Sequence, residues 1–291
     1  MHTYKKILPF ITSILLATVI EPVQANTAEV NQVAADEIKK ELVEFPGRKK
    51  FAQIPYISIE QLHQEYDDVV IVDARTPLEY KVIRVSSAVN VPLNLSDDEF
   101  TDKLHVLRKN NPSKKIVFYC NGHTCMKSYK ATKRALKTAK IGNVFAYDAG
   151  VFDWARSYPN KATLLDQTPV NADTLLSKSK LKKHMLPALQ FINQADDNVI
   201  ILDVRDRFRR EGFSIFSGYE EAISMDNYRD LDKYINLAKA ENKALYIYDE
   251  VGKQVRWIQY RLENKNAGPY YFMEGGTLAF FKIPNDMLMD K

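Results

Sequence analysis

The chain has 291 residues, 45% hydrophobic and 27% charged, which is the apolar mass of one large or two ordinary cores and excludes a disordered polymer. The net charge of +4 is mild and no long Lys/Arg block concentrates it, so nothing marks a nucleic-acid partner. Two cysteines are too few for a disulfide framework.

In chain order, Lys5 and Lys6 precede an apolar run from Ile7 to Ile20, too short to span a bilayer comfortably. Val23-Gln24-Ala25 then offers a small-residue cleavage site. Residues 1–25 therefore read as a secretory signal peptide, with an uncleaved anchor as the alternative. The mature chain is expected to be exported, periplasmic if the source is bacterial, with no membrane contact after cleavage. Residues 26–55 are polar and read as a partly flexible leader arm, with one short helix over 35–44.

Compact structure is expected from Tyr56. Ser58 caps a helix, with Gln61 at the capping-box position. Val69 to Val72 are continuously apolar and β-branched, as in a strand buried on both faces. Thr76-Pro77 opens a helix, with proline at the favoured first position. Ala88 to Leu93 reads as a short strand, 97–109 as a helix and Ile116 to Tyr119 as a buried strand. After a loop, a helix is predicted over roughly 124–140, stopped by Gly142. Val144 to Tyr147 is a further strand, and Gly150 begins a last helix. Strands alternating with helices predict an α/β fold, a parallel sheet covered by helices on both faces.

The pattern then repeats. Val199-Ile-Ile-Leu-Asp203-Val-Arg205 echoes Val69-Val-Ile-Val-Asp73-Ala-Arg75, 130 residues later. Ala244 to Asp249 echoes Ile116 to Cys120, and Phe272 to Gly276 echoes Ala146 to Gly150, at offsets of 129 and 126. Three matches in register predict two copies of one α/β domain: 56–160 and 172–291, joined by a linker over 161–171. Recurrence of the Asp-x-Arg pair in both copies suggests a buried charge pair or turn contact serving the fold.

Cys120 ends a strand and is followed by a glycine-containing loop and a helix start. Loop N–H groups and the helix dipole favour an anion there, which would lower the thiol pKa and make it a nucleophile. The bland alternative is a small buried hydrophobe. Cys125 lies in the same loop, and a disulfide closing so small a ring would cross-link almost nothing, so a redox or catalytic role explains the pair better. His123 is the only other good ligand nearby, too few for a closed metal site, and no metal or cofactor is expected. The helix after the loop is basic at Lys127, Lys130, Lys133, Arg134, Lys137 and Lys140. That is a solvated face or an attractor for an anionic substrate or acidic partner.

These segments together resemble the rhodanese (sulfurtransferase) family in its tandem two-domain form. Ile71-Val-Asp73-Ala-Arg75-Thr-Pro-Leu-Glu79-Tyr80 is similar to the family's opening strand and helix. Ala88-Val-Asn90-Val-Pro92-Leu, Val117-Phe-Tyr-Cys120 and Asp148-Ala-Gly150-Val-Phe-Asp-Trp154 follow in family order. The resemblance implies that Cys120 accepts a sulfane sulfur as a persulfide from a small anionic or persulfide donor. A thiol, which a protein can supply, or cyanide then takes it. Asn121, Gly122, His123, Thr124, Met126, Lys127 and Ser128 would form the anion- and substrate-binding loop. The family's usual loop runs through Gly to Arg or Lys and then Ser. Here a cysteine stands where a basic residue often does, and the serine comes two positions late, which puts thiosulfate in doubt as donor and leaves Lys127 or His123 to substitute. Cys125 is a resolving thiol, a packed hydrophobe or a second sulfur carrier. The second copy has Asp249 at the cysteine position, which cannot hold a persulfide, so that half is expected to be inactive. The other readings are a thiol–disulfide redox or sensing module using Cys120 and Cys125, and a non-enzymatic rhodanese-like binding protein.

Overall fold

The computed structural model describes residues 43–225 and 227–288. The expected signal peptide, and the leader arm up to residue 42, lie outside them. Of the helix predicted over 35–44 only Val43 and Glu44 are described, and both are helical.

Among the described residues, twelve strands form two five-stranded parallel sheets and one two-stranded antiparallel sheet. Strands β1 (Tyr56–Ile57), β2 (Val69–Asp73), β3 (Ile83–Val85), β4 (Val89–Asn90), β5 (Lys115–Tyr119), β6 (Val144–Tyr147) and β7 (Ala162–Leu164) belong to the first half. Strands β8 (Met185–Leu186), β9 (Val199–Asp203), β10 (Glu220–Ala222), β11 (Ala244–Tyr248) and β12 (Tyr270–Met273) belong to the second. The first sheet is ordered β1-β6-β5-β2-β4, and the second, read from its other edge, β8-β12-β11-β9-β10. Asp73 pairs with Tyr119 and Asp203 with Tyr248, so Cys120 and Asp249 each follow the same residue of the same central strand.

Alternate side chains of each central strand feed opposite cores, as period-2 geometry requires. Ile71, Val117 and Tyr119 pack with Leu62, Leu78, Val151 and Trp154 on one face. Val72, Ile116 and Phe118 pack with Phe100, Leu104, Ala131 and Ala135 on the other. The second sheet is covered likewise on both faces. The expected α/β architecture with doubly covered parallel sheets is therefore what the chain adopts.

Three local expectations change. The segment 44–55 is packed rather than flexible: Arg48 grips Asp148 (Nε–Oδ2 2.8 Å), Tyr129 donates to the same carboxylate at 2.6 Å, and Phe51 stacks on Tyr129. Strand β3 follows the helix Pro77–Val82 with no glycine or proline between them, which is why the sequence hides it. It pairs with β7, whose residues 162–164 were expected to be linker. The basic helix runs over Lys127–Lys137, not 124–140, because residues 121–126 form the loop below.

Candidate active site

The site is assembled at the C-terminal end of β5. The Asp73–Arg75 pair is buried as expected, with Arg75 Nη2 2.6 Å from Asp73 Oδ2. Its reach was not expected. Arg75 Nη1 donates to Asn121 Oδ1 at 3.0 Å, so a pair assigned to the fold also holds the first loop residue. Asn121 Nδ2 donates in turn to Glu79 Oε1 at 2.9 Å, and Lys127 Nζ donates to Glu79 Oε2 at 3.0 Å. Glu79 thus ties both ends of the loop to the helix Pro77–Val82. Burial opposes its charge, but Arg75, Lys127 and the Asn121 amide outweigh it and hold the carboxyl below its usual range. The Thr76-x-x-Glu79 capping box was its only sequence signal.

Gly150 presses on the loop from below. Its φ is +75°, and a Cβ there would sit 2.5 Å from the Asn121 carbonyl carbon. The Val151 N–H donates to the Cys120 carbonyl at 3.0 Å. Glycine satisfies both the left-handed backbone and the close approach.

Cys120 is fully buried, whereas Cys125 is half-buried, and both are free thiols. The Cys120 S–H faces Cys125, whose carbonyl oxygen accepts from it at 3.1 Å, and Ser128 Oγ lies 3.7 Å from Cys120 Sγ. Burial, with Cys125 alongside, pushes the Cys120 thiol well up. Hydrogen bonding from the Cys120 side chain pulls Cys125 down to about 6, against desolvation and with help from the Lys127 and Asn121 N–H groups and the Lys127 charge. Geometry sets the two thiols apart: Cys120 is enclosed beneath the loop, and Cys125 is the more accessible of the pair.

The remaining loop residues divide. Gly122 O accepts from Cys125 N–H at 2.8 Å, closing a tight turn. His123 does not tune the thiolate: its Nε2 lies 2.6 Å from Asp153 Oδ2, its Nδ1 3.5 Å from Glu44 Oε1, and its ring packs on Phe45. Thr124 is exposed, and Met126 stands at the helix N-cap with no side-chain cap bond. On the basic helix, Lys127 is taken by Glu79, and Arg134 by Asp97 and the Leu93 and Leu95 carbonyls. Lys130, Lys133, Lys137 and Lys140 are exposed.

The family model of the rhodanese-like domain matches residues 58–157, the segment that builds this loop. Residues 58–157 are a rhodanese-like domain. The chain is 31% identical over 106 residues to the tRNA uridine(34) hydroxylase of Photorhabdus laumondii, a match over 35% of this chain and 28% of that protein. It is 28% identical over 106 residues to the thiosulfate:glutathione sulfurtransferase of Saccharomyces cerevisiae, over 33% of this chain and 72% of that one. Among solved structures, the thiosulfate sulfurtransferase of Pseudomonas aeruginosa aligns with 77% of this chain and 43% of its own, at 17% identity and a TM-score of 0.33.

In the second half, Asp249 is buried and turns its carboxylate into its own loop. Oδ1 accepts from the N–H groups of Val251 (2.9 Å) and Gly252, and Oδ2 from those of Gln254 (2.6 Å) and Val255 (3.2 Å). Four backbone donors converge on one anion that the chain itself supplies.

Proposed function

We propose that this chain is a sulfurtransferase that carries sulfane sulfur as a persulfide on Cys120 and delivers it to a thiol or cyanide. The observation that carries the reading is the seating of Cys120 under the loop, its S–H turned to Cys125. Cys125, half-buried and the stronger acid, is the thiolate that meets the donor. It attacks the outer sulfur of R–S–SH, forming Cys125–S–SH while the old S–S bond breaks and RS⁻ leaves. Cys120, once it yields its proton, attacks that outer sulfur in turn, giving Cys120–S–SH and restoring the Cys125 thiolate. Burial then shields the stored sulfur from stray thiols. The acceptor takes it by the same displacement. Residues 172–291 are read as a second rhodanese-like domain without a nucleophile, and residues 1–25 as a cleaved export signal, which cell fractionation and a mature N-terminus at Asn26 would test.

The test is cyanolysis of the purified protein together with intact-mass measurement. A cyanide-labile gain of one sulfur atom, stable in wild type and lost in Cys120→Ser, is expected, with slow loading in Cys125→Ser. If wild type takes no sulfur from thiosulfate or any organic persulfide, the reading fails.

The thiol arrangement also supports a second reading, thiol–disulfide exchange. An accessible acidic thiol backed by a buried weaker one suits attack by Cys125 on a substrate disulfide, with Cys120 closing a 120–125 disulfide. Protein isolated from its native compartment with that disulfide and no persulfide would favour it.

A further inference from the structure

Two cavities, of about 460 and 370 Å³, lie along the seam between the halves. The larger is bounded by Glu79, Asn121 and Lys127 on the first half and by Gly252, Lys253 and Arg256 on the second. The smaller has Gly122, His123 and Asp153 on one wall and Lys178 on another. They share two residues, Asn121 and Arg256. Together they have the size of a small-molecule site, far more than a five-atom inorganic anion fills.

The charges lining them are uneven. Lys127 is held by Glu79, and Arg156 by Asp153. Lys178 and Lys253 are exposed at the mouth. Arg256 alone lines both cavities as a half-buried cation, and among the described residues its guanidinium has no hydrogen-bond or ion-pair partner. It lies against the Trp257 ring at 4.8 Å and the Phe152 ring at 5.4 Å. Aromatic faces hold the group flat and leave its donor edge free. Burial lowers its pKa, yet a guanidinium remains charged at neutral pH. Glu79 attracts it without pairing with it, so its donors remain open to a carboxylate.

We propose that Arg256, supplied by the half without a cysteine, is the carboxylate-binding residue of the cavities beside the Cys120–Cys125 loop, which that loop lines through Asn121, Gly122, His123 and Lys127. The sulfur donor is accordingly an organic persulfide bearing a carboxylate, rather than a bare inorganic sulfur anion. The loop's own cation is spent on Glu79, so the donor's charge is recognised across the seam and away from its reacting sulfur. The donor's identity rests on the sulfur-transfer reading above, whereas the carboxylate site does not.

The test uses S-methyl-N-acetylcysteine and its neutral amide, which cannot donate sulfur, to protect Cys125 of the full chain from iodoacetamide. In wild type the acid should give half-protection at about a tenfold lower concentration than the amide, as expected for one charge-assisted pair. In Arg256→Gln the two should coincide at the amide's value, and Arg256→Lys, which keeps the charge but not the fork, should fall between. Equal protection by both probes in wild type, or a preference that survives Arg256→Gln, overturns the proposal. The corresponding persulfides then separate the two readings. A protection preference with no sulfur loading supports the Arg256 site and removes the transfer reading alone. Loading with no preference removes Arg256 and leaves transfer standing.

Discussion

Two loops follow the same position of two like sheets, and they treat negative charge differently. After β11 the anion is a carboxylate of the loop itself, fixed by four N–H groups. After β5 the residue at that position is a buried thiol, with the more accessible Cys125 beside it. The supports are reversed as well. Counting from the Asp-x-Arg pair, Arg209 takes the place of Glu79, and Arg209 Nε lies 3.5 Å from Glu250, the residue after Asp249. The first half instead joins Glu79 to Asn121, the residue after Cys120. The scaffold thus offers an anion cradle after the central strand of each half. Chemistry depends on whether the chain fills that cradle with a group of its own.

The comparison breaks most visibly at the thiol. Cys120→Ser should lower stored persulfide by about a hundredfold or more, read by cyanolysis. Asp249→Ala would strip the acceptor from four backbone donors, one of them buried, and should cost about 3 kcal/mol of stability by denaturant melting. Sulfate should restore part of that loss in the variant and do little for wild type. Equal sulfate stabilisation of both proteins would refute the filled-cradle account. Glu79→Gln loosens both ends of the Cys120 loop, and rapid-mixing measurements should show sulfur loading slowed by about tenfold.

The pH dependence of alkylation sharpens the charge assignment. Alkylation needs the thiolate, so the Cys125 rate should climb as pH rises through about 6. In Cys120→Ala the neighbouring side chain that holds the Cys125 pKa down is gone. Its midpoint should therefore move up toward the free-thiol value of about 8.5, measured by mass spectrometry of trapped Cys125. A midpoint that stays in place would mean the loop N–H groups suffice alone. The smallest effect is expected for His123→Ala: with the ring committed to Asp153, loading should stay within about threefold of wild type in a kcat/KM comparison.

The two like sheets and their helices are legible in the sequence because burial on two faces forces continuous β-branched runs, and the runs recur in register. Cys120 is legible for a related reason, as a reactive residue type at a strand end. Which of Cys120 and Cys125 is enclosed is not, since it depends on how the loop folds over the strand end. The site roles of Glu79 and Arg75 come from folding distant segments together: Arg75 meets Asn121 across 46 residues of sequence. Arg256 leaves no signal at all, because a helical arginine usually reads as a solvated surface group. Strand β7 is hidden within three residues of apparent linker.

Trp257 and Tyr260, from the helix Val255–Asn264, are buried in the same apolar cluster as Val151, Trp154 and Leu176 of the preceding segments. The Tyr260 hydroxyl also accepts from the Leu176 N–H at 3.1 Å. Heating should therefore give one calorimetric transition, with van't Hoff and calorimetric enthalpies in agreement, instead of two separate melts. A fragment cut after the first half would carry an open hydrophobic wound and tend to aggregate. The thiol-free half thereby covers an apolar face of the half that carries the cysteines, so the two are expected to be stable only as a pair.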